Sequence, residues 1–93
     1  MLTCTARFTV QAGCEEEFER IMRMTVPKVR EEPGNHAYVL HRSTQDPRDF
    51  LLYEVYEDQA ALEAHRAHWR DLDLDLRDLL DGLPTVEFYE KLL

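Results

Sequence analysis

The chain has 93 residues, 44% of them hydrophobic and 32% charged, and these proportions indicate one globular domain. Its 19 acidic residues outnumber 11 basic ones, and the net charge of −8 argues against nucleic acid or an anionic membrane as a partner. No apolar run is long enough to span a membrane and the N-terminus lacks a signal-peptide layout, so we expect a cytoplasmic protein.

The start of the chain predicts a strand followed by a helix. Residues 3–10 alternate apolar side chains with threonine and arginine, a period of two that indicates a half-buried strand. After a break at 11–13, apolar residues recur every three or four positions from Phe18 to Val29, as on one face of a helix. Pro27 lies inside this pattern, where we expect it to kink or restart the helix.

The middle of the chain predicts a β-hairpin. Segments 36–43 and 49–57 are rich in aromatic and β-branched residues, and TQDPR between them is a cluster of turn-forming residues. The second segment is apolar on both of its faces, one carrying Leu51, Tyr53 and Val55 and the other Phe50, Leu52 and Tyr56.

The last third predicts a second helix and a final strand. Asp58 is a good N-cap for a helix that begins at Gln59. From Trp69 to Leu83 the leucines fit a 3.6-residue period, so we expect helix up to the GLP sequence, with a bend or break around HRAHWRD. TVEFYEKLL (85–93) then predicts a strand.

The element order β-α-β-β-α-β predicts the fold class. It indicates one ferredoxin-like α+β domain over residues 1–93, with a four-stranded antiparallel sheet and both helices on one face. Because strand 49–57 is apolar on both faces, the face without helices needs a cover. In so small a chain the natural cover is a second copy. We therefore expect a homodimer whose sheets face each other.

Three stretches of the chain resemble the antibiotic biosynthesis monooxygenase family, a group of dimeric α+β barrels. They are MLTCTARFTVQAGCEEEF, EEPGNHAYVLHRSTQDPRDFLLYEVYEDQAALEAH and the closing VEFYE, and they span nearly the whole chain. The resemblance implies that the ferredoxin-like domain forms a dimeric α+β barrel. It implies three alternative activities: cofactor-independent oxygenation of aromatic polyketides or quinols, haem degradation, and processing of a phosphorylated autoinducer sugar.

At single positions the chain matches the family's motifs only in part. YEVYED resembles the family's Y-E-x-W-E-D, with Tyr56 in place of the tryptophan. Leu52 and Leu62 stand where the aromatic-polyketide oxygenases have asparagine and tyrosine, whereas Arg77 in LRDLL matches their helix arginine. Ala6 replaces the asparagine of the haem-degrading branch, which argues against haem breakdown. LEAH is similar to the quinol-oxygenase and autoinducer-processing branches.

His65, Arg77 and Tyr56 are the candidate catalytic residues. His65 shares an inward helix stripe with Leu62 and Trp69 and is the candidate base, with core packing as the alternative. Arg77 either stabilises an oxyanion or extends to solvent, and Tyr56 is either a second stabiliser or a core aromatic. The candidate substrate-binding residues are Leu52, Glu54, Leu62, Trp69 and Tyr38.

Glu54 requires a partner if it is buried, because an unpaired buried carboxylate is costly. Arg7 and Arg42 are the candidate partners. Glu54 alternatively orients His65 or Arg77.

A metal site has little support in the sequence. His65, His68 and Asp71 resemble zinc ligation only loosely, and no phosphate loop or dinucleotide motif is present. We therefore expect neither a metal nor an organic cofactor. The sequence assigns no role to His36, His41 or His68.

The resemblance and the candidate residues together favour a cofactor-independent monooxygenase that acts on a phenol, quinol or anthrone with dioxygen. A deprotonated electron-rich substrate reduces dioxygen directly, so the protein needs a base, an oxyanion stabiliser and a dry cavity. The alternatives are a cofactor-free isomerase of a small phosphorylated carbonyl compound and a non-catalytic barrel that binds a small ligand.

Overall fold

The elements follow in the order β-α-β-β-α-β, as predicted, in a computed structural model that describes residues 1–93. They are β1 (Leu2–Thr9), α1 (Glu15–Arg30), β2 (Asn35–Arg42), β3 (Asp49–Tyr56), α2 (Gln59–Asp71) and β4 (Thr85–Glu90). The strands form one antiparallel sheet in the order β2-β3-β1-β4. The predicted ferredoxin-like α+β fold is confirmed. Neither helix has the length and apolar character that crossing a membrane would need.

The two faces of β3 differ as the alternation predicts. Phe50, Leu52 and Tyr56 face the helices and are buried. On the opposite side, Leu51 and Tyr53 remain 37% and 40% exposed. We call this opposite side the outer face; its exposed apolar residues are Val39, Leu51, Tyr53 and Tyr89.

The first helix is continuous through Pro27. Phe18, Met22 and Val29 are fully buried on one stripe, and three glutamates occupy the first turn, where the helix dipole favours negative charge. The predicted restart at Pro27 is wrong, because packing of this stripe on the sheet outweighs the hydrogen bond that proline removes.

The second helix begins as predicted. The side chain of Asp58 accepts a hydrogen bond from the Ala61 backbone N–H at 2.9 Å, which caps the first turn. Leu62 and His65 are buried and Trp69 is half-buried, so the predicted inward stripe is confirmed.

The same helix ends at Asp71, so the predicted continuation to Leu83 is wrong. Asp73 has a φ of +51°, in the left-handed region that commonly follows a helix end. Beyond it, in an irregular segment, Leu74 is half-buried and Leu76 is buried, whereas Asp75 between them is exposed. Leu74 and Leu76 therefore contact the core from a segment that lies outside α2.

The final strand is shorter than predicted and lies at the edge of the sheet. β4 ends at Glu90, and Leu92 and Leu93 are exposed beyond it. All six residues of β4 are exposed at this edge of the sheet.

Candidate active site

An open cavity of about 640 Å³ lies between the helix side of the sheet and α2. Leu52 of β3 belongs to its floor, Leu62 and Trp69 of α2 to one wall, and Phe88 of β4 to another. Of its 18 lining residues 12 are hydrophobic, so the cavity suits an apolar ligand. A smaller depression of about 310 Å³ beside α1 is lined by no histidine, and we therefore place the chemistry in the larger cavity.

His65 lines this cavity and contacts a carboxylate on each side of its ring. The residue is 7% exposed, and its Nδ1 lies 3.1 Å from both carboxylate oxygens of Glu32. A carboxylate only accepts hydrogen bonds, so the hydrogen bond to Glu32 requires a proton on Nδ1. In the neutral form of the ring this leaves Nε2 as an acceptor, and Nε2 lies 3.8 Å from Oε1 of Glu54.

Glu32 also binds a second histidine. Its Oε2 lies 2.6 Å from Nδ1 of His68, which is partly exposed, so one carboxylate connects the buried ring to the surface. The sequence analysis missed Glu32. It lies in the turn after α1, and no local spacing relates it to a histidine 33 residues later.

Glu54 is 5% exposed and accepts a hydrogen bond from the Tyr56 hydroxyl at 2.6 Å. Burial raises the pKa of Glu54 above its ordinary value, although the Tyr56 hydrogen bond and the nearby His65 oppose this shift. The carboxylate thus lines the cavity with a strengthened tendency to hold a proton.

The predicted pairing of Glu54 with an arginine is wrong. Arg7 lies on the other side of the sheet, where it pairs with Asp49. Arg42 lies near the end of β2 and pairs with Glu19 of α1. A tyrosine hydroxyl and a histidine ring surround Glu54 in place of a guanidinium.

The two predicted tyrosines occupy different places. Tyr38 lines the cavity, with its ring centroid 5.5 Å from that of His65. Tyr56 is fully buried behind the lining residues, and its hydroxyl is used on Glu54. Burial raises the pKa of both phenols, so each remains a neutral hydrogen-bond donor. Tyr56 can therefore act on a ligand only through Glu54.

Arg77 lies at the rim of the cavity and away from its floor. It follows α2 in the irregular segment, its side chain is 90% exposed, and its Nε donates to Asp75 at 3.1 Å. The structure therefore does not bring Arg77 together with His65, although both line the cavity.

The family profile of antibiotic biosynthesis monooxygenases matches residues 1–71, which include every element from β1 to the end of α2. The chain belongs to this family. No curated protein gives a significant match. Family proteins typically form homodimers.

Solved structures agree with membership in the antibiotic biosynthesis monooxygenase family. The chain is 31% identical to PA3566 from Pseudomonas aeruginosa, with 99% of this chain and 94% of that chain covered and a TM-score of 0.89. It is 27% identical to an antibiotic biosynthesis monooxygenase of known structure over 100% of both chains, with a TM-score of 0.91. A Nitrosomonas europaea protein is 26% identical over 100% of both chains, with a TM-score of 0.89.

The part of the chain that matches the monooxygenase profile contains Glu32, Glu54 and His65, whereas Arg77 and β4 lie beyond it. The histidine and its two carboxylates thus belong to the region on which family membership rests. The rim and one wall of the cavity come from the remainder of the chain.

The remaining polar groups do not form a metal centre. No group of three or more His, Cys, Asp or Glu side chains is arranged to hold a metal ion. His36 pairs with Glu57 at the surface, and His41 is exposed on the outer face.

Proposed function

We propose that this member of the family is a cofactor-independent monooxygenase of an electron-rich phenol, quinol or anthrone. The proposal rests on His65, a buried histidine that lines an apolar cavity and whose Nδ1 contacts the carboxylate of Glu32. A base in that position is what a substrate needs before it can reduce dioxygen by itself.

The first step is removal of a proton from the substrate. Nε2 of His65 accepts it, and the resulting imidazolium lies between the carboxylates of Glu32 and Glu54. Glu32 acts as a positioning residue, because its hydrogen bond selects the tautomer in which Nε2 is free.

The second step is oxygenation of the anion. For an anthrone, the carbanion donates electrons to dioxygen and forms a C–O bond, which gives a hydroperoxide after protonation. Loss of water then leaves a carbonyl: one oxygen atom enters the substrate, the other leaves as water, and the substrate carbon supplies all four electrons. The apolar walls at Leu52, Leu62 and Trp69 limit competing water.

Oxyanion stabilisation is assigned to the wall of the cavity, where Tyr38 supplies a neutral phenol. Arg77 is a weaker candidate, because it lies at the rim with its guanidinium paired to Asp75. Tyr56 contributes indirectly, since its hydroxyl orients Glu54.

We further propose that the protein is a homodimer joined through the outer face. The exposed apolar side chains of this face and the typical homodimers of the family support the assignment.

Oxygen uptake with a panel of anthrones and quinols tests the enzymatic proposal. We expect His65→Gln to lower kcat by roughly 10²–10⁴-fold, the range for loss of a general base. The matched control is His36→Gln, a surface histidine that does not line the cavity and should retain the wild-type kcat. Unchanged oxygen uptake in His65→Gln, or substrate consumption under anaerobic conditions, would contradict the proposal.

A further inference from the structure

Two arginines of α2, Arg66 and Arg70, line the cavity without a carboxylate partner. Neither takes part in any ion pair of the chain. Most of the other arginines do pair with an acidic side chain, namely Arg7, Arg20, Arg23, Arg42, Arg48 and Arg77.

This lack of partners contrasts with the composition of the chain. With 19 acidic and 11 basic residues, an exposed arginine readily meets a carboxylate. Positions 66 and 70 are four apart on one helix, so both side chains leave α2 on the same side. The two positive charges are therefore concentrated beside the cavity.

The position of Arg66 supports a role in binding. Its Cζ lies 5.6 Å from the centroid of the Phe88 ring, a residue that also lines the cavity. This cation–π contact holds the guanidinium beside the wall and leaves its N–H groups available to a ligand. Arg77 differs, because Asp75 already occupies its guanidinium.

We propose that the cavity takes an aromatic ligand that carries a carboxylate, and that Arg66 and Arg70 bind the carboxylate. The guanidinium fork matches a carboxylate in a bidentate geometry. The apolar walls take the rings, which places the acid group by α2 and leaves the rest of the molecule for His65. The assignment rests on the proposed function only in taking the aromatic ligand to be the substrate.

Calorimetric titration with three related probes tests this assignment without requiring turnover. The probes are 3-hydroxy-2-naphthoate, its neutral amide and 2-naphthyl phosphate. We expect the carboxylate to bind at least about tenfold more tightly than the amide, the effect of one charge-assisted interaction. Emission of Trp69, the one tryptophan of the chain, locates the binding because this residue lines the cavity.

Arginine variants identify the groups responsible. Arg66→Gln and Arg70→Gln should each weaken naphthoate binding about tenfold and leave amide binding unchanged. The matched control is Arg20→Gln on α1, an arginine that pairs with Glu17 and does not line the cavity. It should bind all three probes as the wild type does.

The outcomes separate this assignment from the proposed function. Equal affinity for naphthoate and amide, or arginine-independent binding, overturns the assignment, as does a clear preference for the phosphate, which would favour a phosphorylated ligand. Arginine-dependent naphthoate binding without oxygen uptake on any substrate supports the assignment and contradicts the monooxygenase. Oxygen uptake that requires His65 but not the two arginines supports the monooxygenase and contradicts the carboxylate assignment.

Discussion

Glu54 affects both the stability of the fold and the proposed chemistry. Its side chain is buried beside an apolar cavity, yet its partners are a neutral phenol and a histidine ring rather than a fixed cation. A buried carboxylate compensated in this way is more costly when ionised than when protonated. Its charge therefore works against folding at the pH values where it is ionised.

Glu54→Gln should accordingly stabilise the protein at pH 8. Because burial raises the folded-state pKa of Glu54 above its unfolded value, the favourable contribution of this group is present at low pH and is lost as pH rises through the folded pKa. Glutamine keeps the shape and an acceptor for Tyr56, so the gain over wild type should shrink towards pH 4. Urea unfolding of the wild type and the variant at pH 4, 6 and 8 measures this difference in the free energy of unfolding.

The control for this pH series is Glu63→Gln, an exposed glutamate on α2. It should change the free energy of unfolding little at any of the three pH values. A Glu54→Gln variant that is less stable than wild type at pH 8 would show that the ionised carboxylate is fully compensated in the folded protein.

The candidate site was predictable where its residues are close in sequence. His65, Leu62 and Trp69 follow from helical spacing, and Glu54 and Tyr56 share a strand face through a period of two. Glu32 was not predictable, since its contact with His65 exists only once the end of α1 packs beside α2.

At the scale of elements, the periodicity of the sequence predicted the order and type of every strand and helix. It did not predict where α2 ends. The leucines of 72–76 fit both a 3.6-residue and a two-residue period, and the two-residue alternation describes their burial. The segment nevertheless belongs to none of the four strands of the sheet. Competition between two periods in one short run is settled only by tertiary contacts.

The contact between the turn before β2 and α2 is tight at one glycine. A Cβ added at Gly34 would lie well inside van der Waals distance of the Ala61 Cβ, an atom that cannot move without the helix. The Gly34 carbonyl also accepts a hydrogen bond from the Glu57 backbone N–H at 2.9 Å. Gly34 thus fixes how closely the start of α2 approaches the sheet.

Gly34→Ala should destabilise the protein by about 1–3 kcal/mol, the usual cost of overpacking. Ala61→Gly removes the opposing methyl group, so adding Gly34→Ala to that background should cost much less. Urea unfolding of the wild type, both single variants and the double variant measures the coupling. Additive effects would show that the steric contact is relieved elsewhere.

At the scale of the whole molecule, the outer face determines the expected assembly. Light scattering at low micromolar concentration should give about twice the chain mass of 11.0 kDa. Leu51→Glu should shift the protein towards monomer, because it places a charge in the proposed interface.

Leu83→Glu is the matched control for the assembly experiment. Leu83 is also exposed, but it lies in the loop before β4 and outside the outer face. The variant should remain dimeric. A wild type that scatters as a stable monomer, or a Leu51→Glu variant that stays dimeric while Leu83→Glu dissociates, would contradict the proposed interface.

The pairing of β1 with β4 has a consequence for synthesis on the ribosome. β1 is made first but lies between β3 and β4, so one of its edges has no partner until the last strand has emerged. Phe88 and Val86 pair with Cys4 and Ala6 and complete the cavity. A nascent chain that has already folded through α2 therefore presents a groove with one wall missing, and only a chain translated through β4 can enclose a ligand.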